Sequence, residues 1–254
     1  RRHRDRGTLA VEERRSHSVT VSLRHDGGRR SILDRCRHVN EEQDILEEDV
    51  DNRLRVMQRI GIDWAVVQPS HAYLKPDGIK DTMRVNDGMA AYRKLEPLRF
   101  RIALGTVEPT HGDRCLEEID RVKYELGLNG LSWHHMYQGC FIDNPMMRPI
   151  LRRMADLNLV PVIHANFDCI MERPWRLQKL ALEFPELTFL ALDAFYTYEQ
   201  MEILHLAERT PNILWDIGGH MGWELIEGWV RNNGSEKLTF SADIGYSGQA
   251  PYSP

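Results

Sequence analysis

Several short apolar runs of this sequence end in an imidazole or a carboxylate. "LVPVIHAN" leads into His164, "GLNGLSWHH" into His134 and His135, "LTFLALDAF" into Asp193, "NILWDIGG" into Asp216 and "KLTFSADIG" into Asp243. Earlier, "WAVVQPSH" ends on Gln68, Ser70 and His71, and "RIALGTVEP" on Glu108. Neutral nitrogen and anionic oxygen donors suit a catalytic divalent ion, because they bind it and leave a position for water. Such an ion brings the pKa of its water to about 7 and makes hydroxide available at neutral pH. Each residue also has a structural reading. His164 can be a core histidine satisfied by the backbone, Asp243 can cap the turn at Gly245, and Asp193 can cap the helix that follows it.

What must position these groups is legible in the spacing. β-rich runs at 64–70, 101–109, 127–135, 159–166, 187–195, 212–219 and 237–245 alternate with amphipathic segments. In "ILEEDVDNRLRVMQRIG", apolar residues recur every three or four positions and Gly61 is a stop. Further helices are predicted near 81–96, 113–126, 145–157, 174–184, 197–209 and 222–233, with Pro145 and Pro174 in first turns. Unbroken strand–helix alternation means a parallel sheet. No GxGxxG or GxxxxGK[ST] follows a strand, which disfavours dinucleotide and P-loop folds. The predicted architecture is a (β/α)8 TIM barrel, incomplete at its N- and C-terminal ends. Its eighth strand is either "HSVTVSLRH" (17–25) or lies ahead of Arg1. In a barrel, strand ends share one rim and their side chains converge there. One domain spans 1–254, with 1–40 an irregular, arginine-rich arm.

The stretch "GLNGLSWHHMYQGCFIDNPMMRPILRRMADLNLVPVIHAN" resembles the fourth strand, helix and fifth strand of the amidohydrolase superfamily. The branch it resembles is amidohydrolase-2, which includes the aminocarboxymuconate-semialdehyde and γ-resorcylate decarboxylases. The likeness continues through "RLQKLALEFPELTFLALDAF", "ERTPNILWDIGG" and "EKLTFSADIGYSG" and covers roughly residues 44–247. It implies that His164 and Asp243 are metal ligands and that Asp243 also handles the proton of the attacking water. Zinc is the implied ion, with manganese second. Two departures stand out. The family's first-strand His-x-His is not present in this chain, since "SHS" (16–18) and "RHD" (24–26) do not supply it; that pair is expected ahead of Arg1. The family's sixth-strand His is replaced by Asp193, which can act as base or ligand but cannot donate as an imidazolium does.

Around the same rim, His71, His134, His135, Trp133 and Phe195 are read as substrate-binding. Only one of the adjacent pair His134 and His135 can face the mouth of an extended strand. The expected function is a metal-dependent hydrolase acting on a small carboxylated or aromatic molecule through metal-activated water, with Asp243 and Asp193 catalytic. The alternatives are a non-oxidative decarboxylase of an aromatic or muconate-type acid and a metal-free barrel with a binding or assembly role.

Composition narrows the classes. With 254 residues, 42% hydrophobic and 28% charged, the chain can bury a full core without staples. A net charge of −5 argues against a nucleic-acid partner or an acidic membrane surface. No apolar run reaches the length of a membrane helix. Cys36, Cys115, Cys140 and Cys169 lack paired spacing, which favours reduced thiols and a cytoplasmic setting. The expected partner is a small-molecule substrate, and the resemblance implies a homodimer.

Overall fold

The computed structural model describes residues 18–22, 39–195, 200–218 and 223–242. Its strands are β1 (Ser18–Ser22), β2 (Trp64–Gln68), β3 (Ile102–Gly105), β4 (Gly130–Trp133), β5 (Val160–His164), β6 (Phe189–Leu192), β7 (Ile213–Asp216) and β8 (Leu238–Thr239). The helices between them are α1 (Val39–Ile60), α2 (Ile79–Leu95), α3 (Arg114–Tyr124), α4 (Met147–Asp156), α5 (Pro174–Glu183), α6 (Gln200–Arg209) and α7 (Trp223–Asn233). Every neighbouring pair of strands is parallel and the sheet order follows the chain from β1 to β8. Among the described residues no rung joins β8 back to β1. The architecture is an incomplete (β/α)8 barrel.

β1 settles one alternative. "SVTVS" occupies the first place in the sheet, with Ser18 opposite Trp64 and Ser22 opposite Gln68. Part of the segment expected to be an irregular arm is therefore a barrel strand, because its Val-Thr-Val alternation suits a ladder with β2. The strand itself contains no His, Asp, Glu or Cys.

The two faces of the sheet separate by the period of two. Leu104, Val162 and Leu192 fill the barrel interior with Val66, Ile102 and Leu190. The alternate residues Val67, Leu131, Trp133, Ile163, Ala191 and Trp215 belong to the larger core shared with the helices. The helices present matching stripes. In α4, Met147, Ile150, Leu151 and Met154 are buried, whereas Arg152 is exposed. Pro174 opens α5 at its first turn, as predicted.

Two close approaches shape the rim. A Cβ on Gly130 would collide with the Val160 backbone, so β4 lies tight against β5. A Cβ on Gly218 would overlap Ser241 Oγ and press on Asp216 Oδ2. Gly218→Ala is therefore expected to push apart the ends of β7 and β8. The cost should be about 1–3 kcal/mol, read as a melting temperature lower by several degrees; an unchanged melting temperature would mean the two ends are not in contact.

Candidate metal centre at the rim of the barrel

The strand ends bring His134, His164 and Asp193 to one arc of the rim, and a carboxylate from a loop locks them. Glu172 closes the short 3-10 turn Ile170–Glu172 after β5 and is 0% exposed. Its Oε1 accepts from His134 Nδ1 and its Oε2 from His164 Nδ1, each at 2.7 Å. Oε1 also accepts from the Met136 backbone N–H at 2.8 Å. The two imidazoles stack, with centroids 3.6 Å apart and planes at 16°. On its other side, His164 Nε2 lies 2.8 Å from Asp193 Oδ2.

Asp193 follows β6 with a positive φ of 55°, a left-handed conformation that a non-glycine residue adopts at a cost of about 1 kcal/mol or more. Asp216, at the end of β7, supports that turn. Its Oδ2 accepts from the Asp193 backbone N–H at 3.2 Å and from Ser241 Oγ at 2.7 Å. Asp216 is 1% exposed and its Oδ1 is buried without a hydrogen-bond partner among the described residues.

The charges follow from these contacts. Burial disfavours the charged form of His164, but the hydrogen bonds to Asp193 and Glu172 outweigh it and push the imidazole up to about 10. Burial likewise opposes the charge on Glu172, yet the two histidines hold its carboxyl well below the usual range. Burial and the neighbouring Asp193 charge raise Asp216 to about 7. Burial lowers His134.

The other predicted residues fall into two groups. His71 sits beside the cluster, its ring centroid 6.3 Å from that of His134, and its Nε2 pairs with Ser132 Oγ at 3.1 Å. Burial, then repulsion from His134, brings it down to about 3, so it is neutral at pH 7. His135, Trp133 and Phe195, by contrast, are fully or almost fully buried. Trp133 lies on the helix-facing side of β4 and donates its indole N–H to Val107 O at 2.9 Å. Phe195 belongs to the same core. His135 begins the helical turn His135–Gln138, with both ring nitrogens buried and without a partner among the described residues. The strand's alternation and the turn after it direct these three side chains inward. Glu108 lies outside the histidine cluster. It accepts from Tyr73 Oη at 2.6 Å and pairs with Lys75 Nζ at 3.0 Å. Asp243 and His220 lie outside the described residues.

Sequence reasoning missed Glu172 because nothing in "FDCIMERP" marks it. The available signal was chemical: a ligating histidine usually donates its second ring N–H to a carboxylate, and Glu172 is the acidic residue closing the turn after His164.

One ligand atom from each of His134, His164 and Glu172 lies within 4.8 Å of the others. Two imidazoles with carboxylates close by form a nitrogen–oxygen donor set that fits a divalent ion of the zinc or manganese kind.

The family model described as amidohydrolase matches residues 34–241. The chain belongs to the amidohydrolase family. It is accordingly an enzyme of that superfamily. No curated protein matches the sequence. Among solved structures, this amidohydrolase resembles 5-carboxyvanillate decarboxylase from Novosphingobium aromaticivorans, complexed with manganese and 4-hydroxy-3-methoxy-5-nitrobenzoic acid. Identity is 17%, with 92% of this chain and 87% of that one covered and a TM-score of 0.62. It also resembles 2,6-dihydroxybenzoate decarboxylase from Rhizobium, at 15% identity over 91% and 88% with a TM-score of 0.61. A third neighbour is 4-oxalomesaconate hydratase from Rhodopseudomonas palustris, at 17% identity over 80% and 69% with a TM-score of 0.61. At these identities the likeness establishes the fold of the amidohydrolase, not its substrate.

Proposed function

We propose that this amidohydrolase is a metal-dependent carboxy-lyase acting on a small hydroxylated aromatic acid. The observation that carries the reading is the convergence of His134, His164 and Asp193 at the ends of three consecutive strands, with Glu172 locking both imidazoles from behind. The decarboxylases among the structural neighbours support the reaction class. The proposed ion, manganese or zinc, would be held by His164 and by Asp243, the strand-end carboxylate implied by the family likeness. Bound there, it would polarise the substrate's carboxylate and the oxygen next to it.

The chain's own residues supply the rest. Asp193 has Oδ2 on His164, and its side chain is 30% exposed. Its other oxygen would relay a proton from solvent to the substrate. Delivered to the ring carbon that bears the carboxylate, that proton forms the new C–H bond. The C–C bond then breaks, its electron pair returns to the ring, and CO2 leaves. Arg173 directly follows Glu172, its guanidinium 5.4 Å from the Phe167 ring centroid and without a carboxylate partner among the described residues. It is suited to an anionic substrate.

A second reading has one specific observation in its favour. Asp193 is a carboxylate where the family uses histidine, which suits a base that takes a proton from water during hydrolysis of an ester or lactone. The deciding experiment supplies the protein with manganese or zinc and compares CO2 release from hydroxylated aromatic carboxylates with acid release from esters and lactones. We expect CO2 release, reduced at least about 1,000-fold in His164→Ala, comparable to loss of one electrostatic element of an active site. Acid release instead would establish the hydrolase. Turnover that persists in His164→Ala would overturn the site.

No helix among the described residues is long and apolar enough to cross a membrane.

A further inference from the structure

We infer that Tyr137 is the wall against which the substrate's ring packs, so that this one side chain makes the site prefer a planar aromatic acid to a saturated one. The inference rests on the aromatic-acid reading above and names the residue that enforces it. It starts from the helical turn His135–Gln138 after β4. Residues three apart share one face of such a turn. Here His135 and Gln138 are buried, whereas Met136 and Tyr137 are exposed, Tyr137 to 38%. An exposed tyrosine is common; its position is what singles this one out. Its ring centroid lies 4.5 Å from that of His134, with the planes at 67°. His164 stacks on His134 with planes 16° apart. Two nearly parallel imidazoles and a phenol ring steeply inclined to them therefore make a corner at the rim. Trp133, Phe167 and Phe195, aromatics near the same strand ends, are buried in the core.

The wall is in place before any ligand arrives. Tyr137 donates its backbone N–H to His134 O at 3.0 Å, and Met136 donates its own to Glu172 Oε1 at 2.8 Å. Gly139, with φ 67°, ends the turn by donating its N–H to His135 O. The turn is thus tied at both ends to the residues that hold the imidazoles. A tyrosine has only two side-chain torsions, so it offers a large contact surface at little entropic cost. Aromatic pairs favour offset stacks or edge-to-face contacts with centroids about 4.5–7 Å apart. A substrate ring packed on Tyr137 at such a separation stays beside His134, and its carboxylate edge can face the imidazoles. A saturated ring of the same size lacks both the flat face and the quadrupole, and gains less.

The test reads binding rather than turnover. Full-length protein supplied with zinc would be titrated by calorimetry with 2-hydroxybenzoate and with cis-2-hydroxycyclohexanecarboxylate, which carry the same two groups on rings of equal size. The parent should prefer the aromatic acid. Tyr137→Leu should shrink that preference about 2- to 10-fold, the worth of one aromatic pair, chiefly by weaker binding of 2-hydroxybenzoate. Comparing the preference between proteins cancels the difference between the two acids' own oxygens. Tyr137→Phe, which keeps the ring, should restore it. Tyr124→Leu, on an exposed position of α3, should bind both acids like the parent. An unchanged preference in Tyr137→Leu, or equal losses for the two acids, would overturn the wall. So would loss of zinc from Tyr137→Leu, which would make the ring a support of the histidines rather than of the substrate. If the parent binds neither acid, the wall and the aromatic-acid reading fall together. The preference as inferred, without CO2 release from any aromatic acid, would support the wall and retire the proposed reaction alone.

Discussion

A Glu172→Gln variant is expected to bind divalent metal about 10- to 100-fold more weakly and to melt about 6–12 °C lower than the parent. Glu172 is 0% exposed and accepts three hydrogen bonds, two of them from histidine rings. An amide supplies one acceptor where the carboxylate supplies two, so its NH2 must face an Nδ1–H donor. Leaving a buried hydrogen-bonded pair without one partner costs about 3 kcal/mol, and a chain of this length loses about 2–4 °C per kcal/mol. The affinity loss follows from releasing the rings, since outer carboxylates of this type are worth about 10–100-fold. Calorimetric titration and thermal melting read the two effects separately. Parent-like values in both would show that Glu172 is not the group that orients the histidines.

The second large effect is on acid stability, and its source is His135. Both of its ring nitrogens are buried without partners among the described residues, and burial brings its pKa down to about 3. The unfolded chain takes up a proton near pH 6.5 that the folded state refuses. His135 and His71 therefore contribute stability that is present above about pH 6.5 and is lost as pH falls toward 3, at about 1.4 kcal/mol per pH unit for each group. Asp216 works the other way. With its pKa raised to about 7, its contribution is complete below the ordinary carboxylate range and fades as pH rises through 7, offsetting one of the histidines. His164, raised to about 10, is fully stabilising below about 6.5 and loses that contribution as pH climbs toward 10. Metal-free protein should accordingly be most stable near neutrality. His135→Leu removes the buried ring nitrogens and one protonation site, so it should exceed the parent by about 3 kcal/mol at pH 4.5 and by less at pH 8. Parallel stability curves for the two proteins would exclude this account.

The alternation of strands and helices was legible because each element repeats a local pattern: period two in "VVQ" and "VIH", three to four in the helices. His164, Asp193 and Asp216 were legible for the same reason, since each ends an apolar run. The pair His134 and His135 was not resolved by pattern. The strand stops at Trp133, His134 stays extended and reaches Glu172, and His135 turns inward with the helix it begins. That Trp133 and Phe195 pack in the core was not legible, because a large aromatic near a strand end reads alike whether it faces a pocket or the helices.

The order of the barrel, the arc of rim residues and membership of the amidohydrolase family were written in the sequence, because they depend on which residue types recur at which intervals. The tertiary structure alone decided that "SVTVS" fills the first strand's place and that Glu172 couples two histidines 30 positions apart. It also decided that Asp193 touches His164. Those facts depend on how strands far apart in the chain lie against one another, and distance across a barrel rim leaves no trace in spacing along the polypeptide.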